Sequence, residues 1–167
     1  MKITISHDFN CDPETFWSKI FGNLEFDTAL YRDELRFPGF EQLEARTDGD
    51  RMTRRCRITP RQDAPAPVQK LLGGQFSYIE EGSFDKKTQR YRFKIVPSSL
   101  ADKLRIDGEM RSEPMGPGKM KRVAEINIEV KIFGLGGMVE GFVSRSMQDS
   151  YAQAAAFTNR WIASKGL

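Results

Sequence analysis

From about residue 40 to about residue 132, apolar and polar side chains alternate with a period of two, and turn residues cut the run into three hairpins. That pattern commits most of the chain to antiparallel strands. The predicted strands cover about 40–47 and 51–59, about 76–84 and 89–96, and about 104–113 and 119–132. Their turns are Thr47-Asp48-Gly49-Asp50, Asp85-Lys86-Lys87-Thr88 and the Pro-Met-Gly-Pro-Gly run at 114–118. A further strand opens the chain, because Ile3, Ile5, His7 and Phe9 share one face and Lys2, Thr4, Ser6 and Asp8 the other. Asp12-Pro13-Glu14 then starts a helix, with the Asp side chain as cap and Pro at the first position, where its missing N–H costs nothing. A second helical segment over about 24–34 ends before Phe37-Pro38-Gly39.

After Gly134-Leu135-Gly136-Gly137 the period becomes helical and proline disappears. Val139, Phe142, Val143, Met147, Tyr151, Ala154, Ala155, Thr158, Trp161 and Ile162 recur at three- and four-residue steps, which predicts one amphipathic helix of about 27 residues, roughly 40 Å long. Its polar face carries Glu140, Arg145, Gln148, Asp149, Gln153 and Asn159. The sheet also has a dry face, formed by Tyr91, Phe93, Ile95, Leu104, Ile106, Met110, Ala124, Ile126, Ile128, Val130 and Ile132. Packing the long helix across that face buries both, giving an α+β architecture of order β-α-α-β6-α. The glycines turn the last strand sharply into the helix, and Gly141 is expected to let the helix approach the sheet closely.

Composition narrows the function. A chain of 167 residues fits a single domain over 1–167, and a net charge of +3 spread along it argues against nucleic acid. Two cysteines need no disulfide framework, the first residues lack the apolar run of a secretory signal, and no stretch reaches a membrane span, so a cytoplasmic protein is expected. One histidine leaves neither a His/Cys metal site nor a Ser-His-Asp arrangement signalled, so no metal and no cofactor are expected.

The element order, with MKITISHDFN, PVQKLLGGQFSYIEEGSFD and IFGLGGMVEGFVSRSM, resembles the START-like (SRPBCC, helix-grip) superfamily, and within it an uncharacterised bacterial family of unknown function. The Pro-rich loop with an apolar tip, the Tyr-x-x-Glu strand and the Gly-rich approach to the last helix are also distantly similar to PRELI-type phospholipid carriers. The resemblance implies a seven-stranded antiparallel curved sheet wrapped around the long carboxy-terminal helix. It also implies an apolar cavity between them that holds a lipid or other hydrophobic molecule. Composition alone does not separate such a cavity from a packed core.

Polar residues in register with apolar ones are the candidates for orienting a ligand: His7, Arg54 beside Met52, Cys56 and Ile58, and Glu80 beside Tyr78 and Phe84. The competing reading pairs Arg54 with Glu80. Cavity-lining candidates are His7, Phe9, Arg54, Cys56, Tyr78, Glu80, Tyr91, Phe93, Met110, Ile126, Ile128, Phe142, Met147 and Tyr151; gate candidates are Val68, Leu71, Leu72, Gly136 and Gly137. Cys56 reads as a small buried hydrophobe, whereas Cys11 stays ambiguous. The arginines at 51, 54, 55, 57 and 61 form either a membrane-facing stripe or a solvated strand face paired with Glu41, Glu44 and nearby acids. No catalytic residue is assigned. The expected function is non-catalytic binding or transport of a hydrophobic small molecule, with a transient membrane contact, in a monomer or weak dimer. The alternatives are a polyketide cyclase/dehydratase-type enzyme using His7, Glu80 or Tyr151, and an interaction module with an exposed apolar patch around Val68, Leu71 and Leu72.

Overall fold

The computed structural model describes residues 1–167. Seven strands form one antiparallel sheet: β1 (Lys2–Phe9), β2 (Gly39–Asp48), β3 (Arg51–Thr59), β4 (Tyr78–Asp85), β5 (Arg90–Pro97), β6 (Leu104–Pro114) and β7 (Met120–Val130), in spatial order β1-β7-β6-β5-β4-β3-β2. The three hairpins stand where the alternation places them. The first strand closes the far side by pairing with β7, Ile5 opposite Ala124 and His7 opposite Arg122.

Two short helices lie between β1 and β2. In α1 (Pro13–Thr15), the Asp12 carboxylate accepts the Thr15 amide at 2.8 Å, and the chain continues as a π-helical turn over Phe16–Ile20. Asn23 caps α2 (Leu24–Thr28) in the same way at 3.1 Å, and a second π-helical segment follows over Ala29–Glu34. These turns drive Phe16, Trp17, Ile20, Phe26 and Leu30 into the core, where complete burial of such a side chain contributes about 1.5–3 kcal/mol. Between β3 and β4, α3 (Ala66–Leu72) fills the Pro-rich stretch.

The last helix, α4 (Gly136–Lys165), has 30 residues and packs against β1, β7 and the Ala29–Glu34 turn. Gly134, at φ +74°, reverses the chain out of the sheet, and the Gly136 amide donates to Ile132 O at 2.9 Å. The expectation for Gly141 is not met: a side chain there would meet only Arg145 Nη1, at 3.7 Å, so this glycine permits no approach to the sheet. Close backbone approach occurs instead at two strand glycines. Tyr91 lays its ring across Gly82 of β4, and Phe93 lays its ring across Gly108 of β6.

The arginine-rich strand is a solvated face with partners, Arg57 to Glu41 at 2.8 Å and Arg55 to Glu81 at 3.1 Å, while Arg61 pairs with Asp63 at 3.1 Å. Arg54 alone turns inward. The apolar tip is likewise not a free patch, because Val68 is 1% exposed and packs with Ala64 against Val139 at the start of α4, half-burying Leu71 and Leu72. An interaction surface centred on Val68 is therefore corrected by the structure. No helix is long and apolar enough to cross a membrane.

Candidate functional site

Because α4 lies on β1 and β7, most inward residues of those strands are covered by helix, and free space opens mainly over β3 to β6, with Arg122 of β7 at its border. There the sheet, the two short amino-terminal helices, the Pro60–Ala64 stretch and the middle of α4 surround a cavity of about 500 Å³. Its wall is mostly apolar, with Phe93, Ile95, Leu104, Ile106 and Met110 from the sheet and Phe142, Val143 and Met147 from the helix. Exposed polar residues, Arg61, Gln62 and Asp63 on one side and Arg145 and Asp149 on the other, mark the mouth.

The sequence-derived candidates divide on this geometry. Arg54, Tyr78, Glu80, Tyr91, Phe93, Met110, Phe142, Met147 and Tyr151 stand on the cavity wall, as do Val68 and Leu72. His7, Phe9, Ile126 and Ile128 do not, since their strands are the ones α4 covers. Cys56 also lies off the wall, 1% exposed between Phe40 and Ile58. Leu71, Gly136 and Gly137 do not reach it, so the mouth lies beside the middle of α4 and not at the Gly-rich turn. Both cysteines are buried and pushed up to about 11 by desolvation, which leaves them as neutral thiols.

All four tyrosines of the chain, Tyr31, Tyr78, Tyr91 and Tyr151, line the cavity. Burial, the leading cause for each, holds every one of these hydroxyls above its ordinary pKa, Tyr151 at about 12, so they are neutral hydrogen-bonding groups at physiological pH.

Arg54 is the hub of a buried network. Its Nη1 donates to Asp27 Oδ2 at 2.9 Å, its Nη2 to Glu80 Oε1 at 3.0 Å and its Nε to Tyr91 Oη at 3.1 Å. Tyr91 Oη in turn donates to Glu80 Oε1 at 2.6 Å, and the guanidinium carbon lies 4.6 Å from the Phe21 ring centroid. Three of its five N–H donors are engaged and its charge is met by two carboxylates, so Arg54 takes up the ion pair with Glu80 that the competing reading gave.

Asp27, Tyr31 and Arg122 join the site without having been singled out from sequence. Asp27 sits three and four residues before the inward Leu30 and Tyr31, on the same helical face. Arg122 precedes Ala124, Ile126 and Ile128 in the same β7 alternation. Extending each apolar period by one step finds both.

Desolvation raises Asp27 to about 6 despite the lowering effect of Arg54. A carboxyl with a folded pKa above its unfolded value contributes stability below about pH 4, and that contribution is lost as pH rises through about 6. The difference in unfolding free energy between wild type and Asp27→Asn is therefore expected to fall between pH 4 and pH 7, measured by urea titration. A difference that rises over that interval would show a net-stabilised carboxylate instead.

The comparisons agree with this architecture. The chain belongs to the family described as "Protein of unknown function (DUF2505)", whose family model matches residues 4–162. No curated protein matches it. Among solved structures it is similar to the Zhui aromatase/cyclase from Streptomyces sp. R1128, at 14% identity and a TM-score of 0.66, covering 100% of this chain and 99% of that one. A START superfamily protein from Mycobacterium smegmatis matches at 14% identity and a TM-score of 0.63, covering 96% and 98%. Norcoclaurine synthase from Thalictrum flavum, in complex with dopamine and hydroxybenzaldehyde, matches at 14% and 0.65, covering 93% and 83%. At these identities the likeness establishes the START-like helix-grip fold.

Proposed function

We propose that this member of a family of unknown function binds, and carries, a hydrophobic small molecule in the cavity between the sheet and α4. The observation that carries the reading is the cavity itself: about 500 Å³ of mostly apolar wall, with tyrosine hydroxyls and polar side chains at a few points. Such a lining suits a ligand whose apolar body is desolvated and whose polar atoms are few. A volume of about 500 Å³ lies within the roughly 300–1,000 Å³ range of small-molecule sites. That scale suits one acyl chain or a fused-ring skeleton. Of the residues the cyclase alternative names, Tyr151 stands on the wall, His7 lies off it, and Glu80 is tied to Arg54 and Tyr91.

One observation favours a second reading, acid–base catalysis of the kind a cyclase performs. Asp27 stands on the cavity wall with its pKa raised to about 6, in the range a proton-transfer group needs. Asp27→Asn would abolish turnover and spare binding in that case, whereas a carrier shows no turnover in either form and keeps its binding.

Native mass spectrometry of the purified protein, with extraction of what travels with it, tests the binding reading. A stoichiometric single-chain or polycyclic hydrophobic molecule is the expected result. Met147→Trp, which places an indole on the cavity wall, is expected to reduce uptake of a fluorescent fatty acid about tenfold or more while the thermal transition is retained. A bare wild-type protein that takes up no fatty acid or polycyclic probe would overturn the proposal.

A further inference from the structure

Of the arginines around the cavity two are buried, and they differ in kind. Arg54 is paired with two carboxylates and a phenol, whereas Arg122 of β7, also 7% exposed, has no carboxylate partner. Its hydrogen bonds within the protein both use Nη2 and are long, 3.3 Å to His7 Nδ1 and 3.4 Å to the Tyr151 carbonyl oxygen. Nε is buried with no partner at all. The guanidinium carbon lies over two aromatic rings, 5.0 Å from the Phe9 centroid and 4.8 Å from the Tyr151 centroid.

Burying a guanidinium without a counter-ion costs several kcal/mol, and arginine does not escape that cost by losing its proton. Burial is the main influence on this group. The partners acting on its charge are the phenols of Tyr151 and Tyr31, both on the cavity wall. Beside it, His7 is kept below its ordinary pKa by burial and by Arg122 itself. His7 is therefore a neutral acceptor that orients the arginine without neutralising it. This is a rigid, desolvated cation with unspent donors on the wall of an apolar cavity.

We propose that Arg122 is the head-group subsite of the cavity and that it receives a carboxylate, so that the cognate ligand is an amphipathic monoacid. The inference rests on the cavity-binding reading above and names its ligand class. The acid's apolar body lies against the β4 to β6 wall, and its carboxylate accepts charge-assisted hydrogen bonds from the guanidinium edge. The Tyr31 and Tyr151 hydroxyls are the neutral donors nearest in kind to complete the cradle.

The test compares cis-parinaric acid with its methyl ester by fluorescence titration at pH 8, on wild type, Arg122→Met and Arg122→Lys. Wild type is expected to bind the acid about 10- to 100-fold more tightly than the ester, the range of a charge-assisted hydrogen bond. Arg122→Met is expected to bring the acid down to the ester's affinity, with the ester changed less than about threefold. Arg122→Lys is expected to keep part of the preference, because it retains a charge but not the planar fork. Equal binding of acid and ester by wild type would overturn the carboxylate subsite and leave the cavity reading standing. Uptake of neither probe would overturn the cavity reading and the subsite with it. Should Arg122→Met not fold, the acid-to-ester ratios of wild type and Arg122→Lys decide the matter.

Discussion

Arg54→Met is expected to destabilise the protein by about 3–5 kcal/mol at pH 8, and by much less at pH 5. The first half of this expectation comes from what the substitution leaves behind. Asp27 and Glu80 both end on the same guanidinium, and the Arg54 and Asp27 side chains are each 7% exposed. Removing the cation therefore strands two carboxylates in a desolvated site, one of which also accepts from Tyr91. Methionine fills much of the volume, so the loss is one of charge compensation and not of packing. The second half follows from proton linkage. Asp27 is already raised to about 6 by burial against the opposing pull of Arg54; without Arg54 its folded pKa rises further. The folded variant then holds a proton that the unfolded chain releases, so its stability climbs as pH falls through and below about 6. Urea unfolding of both proteins at pH 8 and pH 5 measures the two differences. A loss below about 1 kcal/mol that is the same at both pH values would mean that water reaches these carboxylates freely.

The architecture was legible because it rests on periodicity, which is local. Alternation assigned the inward residues of β5, β6 and β7, and the helical period drew α4 to within a few residues of its ends. Turning an inward residue into a cavity residue requires knowing where the helix crosses the sheet, and that is a tertiary fact. Phe9 and Ile128 face inward as the pattern demands, yet α4 seals them into the core, while Tyr91 and Phe93 border the cavity. The same limit explains the arginines. Arg54 stands out because the residues in register with it are apolar, but whether its charge is free or paired depends on Asp27, which lies in a helix distant in sequence. Arg122 was passed over although it continues the Ala124, Ile126, Ile128 register, because a charge at the end of an apolar run reads as the place where the buried face stops.

Gly82→Ala is expected to cost about 3–5 kcal/mol, far beyond the usual effect of adding one methyl group in a strand. A Cβ at Gly82 would lie 1.9 Å from Tyr91 Oη, 2.1 Å from its Cζ and 2.4 Å from its Cε2. A ring met at its tip can often swing aside, but this one is fixed at both ends. Phe21 packs edge-on against it at 4.7 Å between centroids, and the hydroxyl is held between Arg54 Nε and Glu80 Oε1. Moving the ring gives up two hydrogen bonds to charged groups, each worth about 1.5–3 kcal/mol, and loosens the network that keeps Asp27 and Glu80 paired. Two comparisons separate this cause from a general intolerance of substitution. Gly137→Ala meets no atom within 4 Å and sits in the first turn of α4, so it should leave stability unchanged or slightly raised. In a Tyr91→Ala background, Gly82→Ala should lose most of its effect, giving a coupling energy close to the single-variant loss. An undiminished loss in that background would place the strain in the β4 backbone and not in the Tyr91 ring.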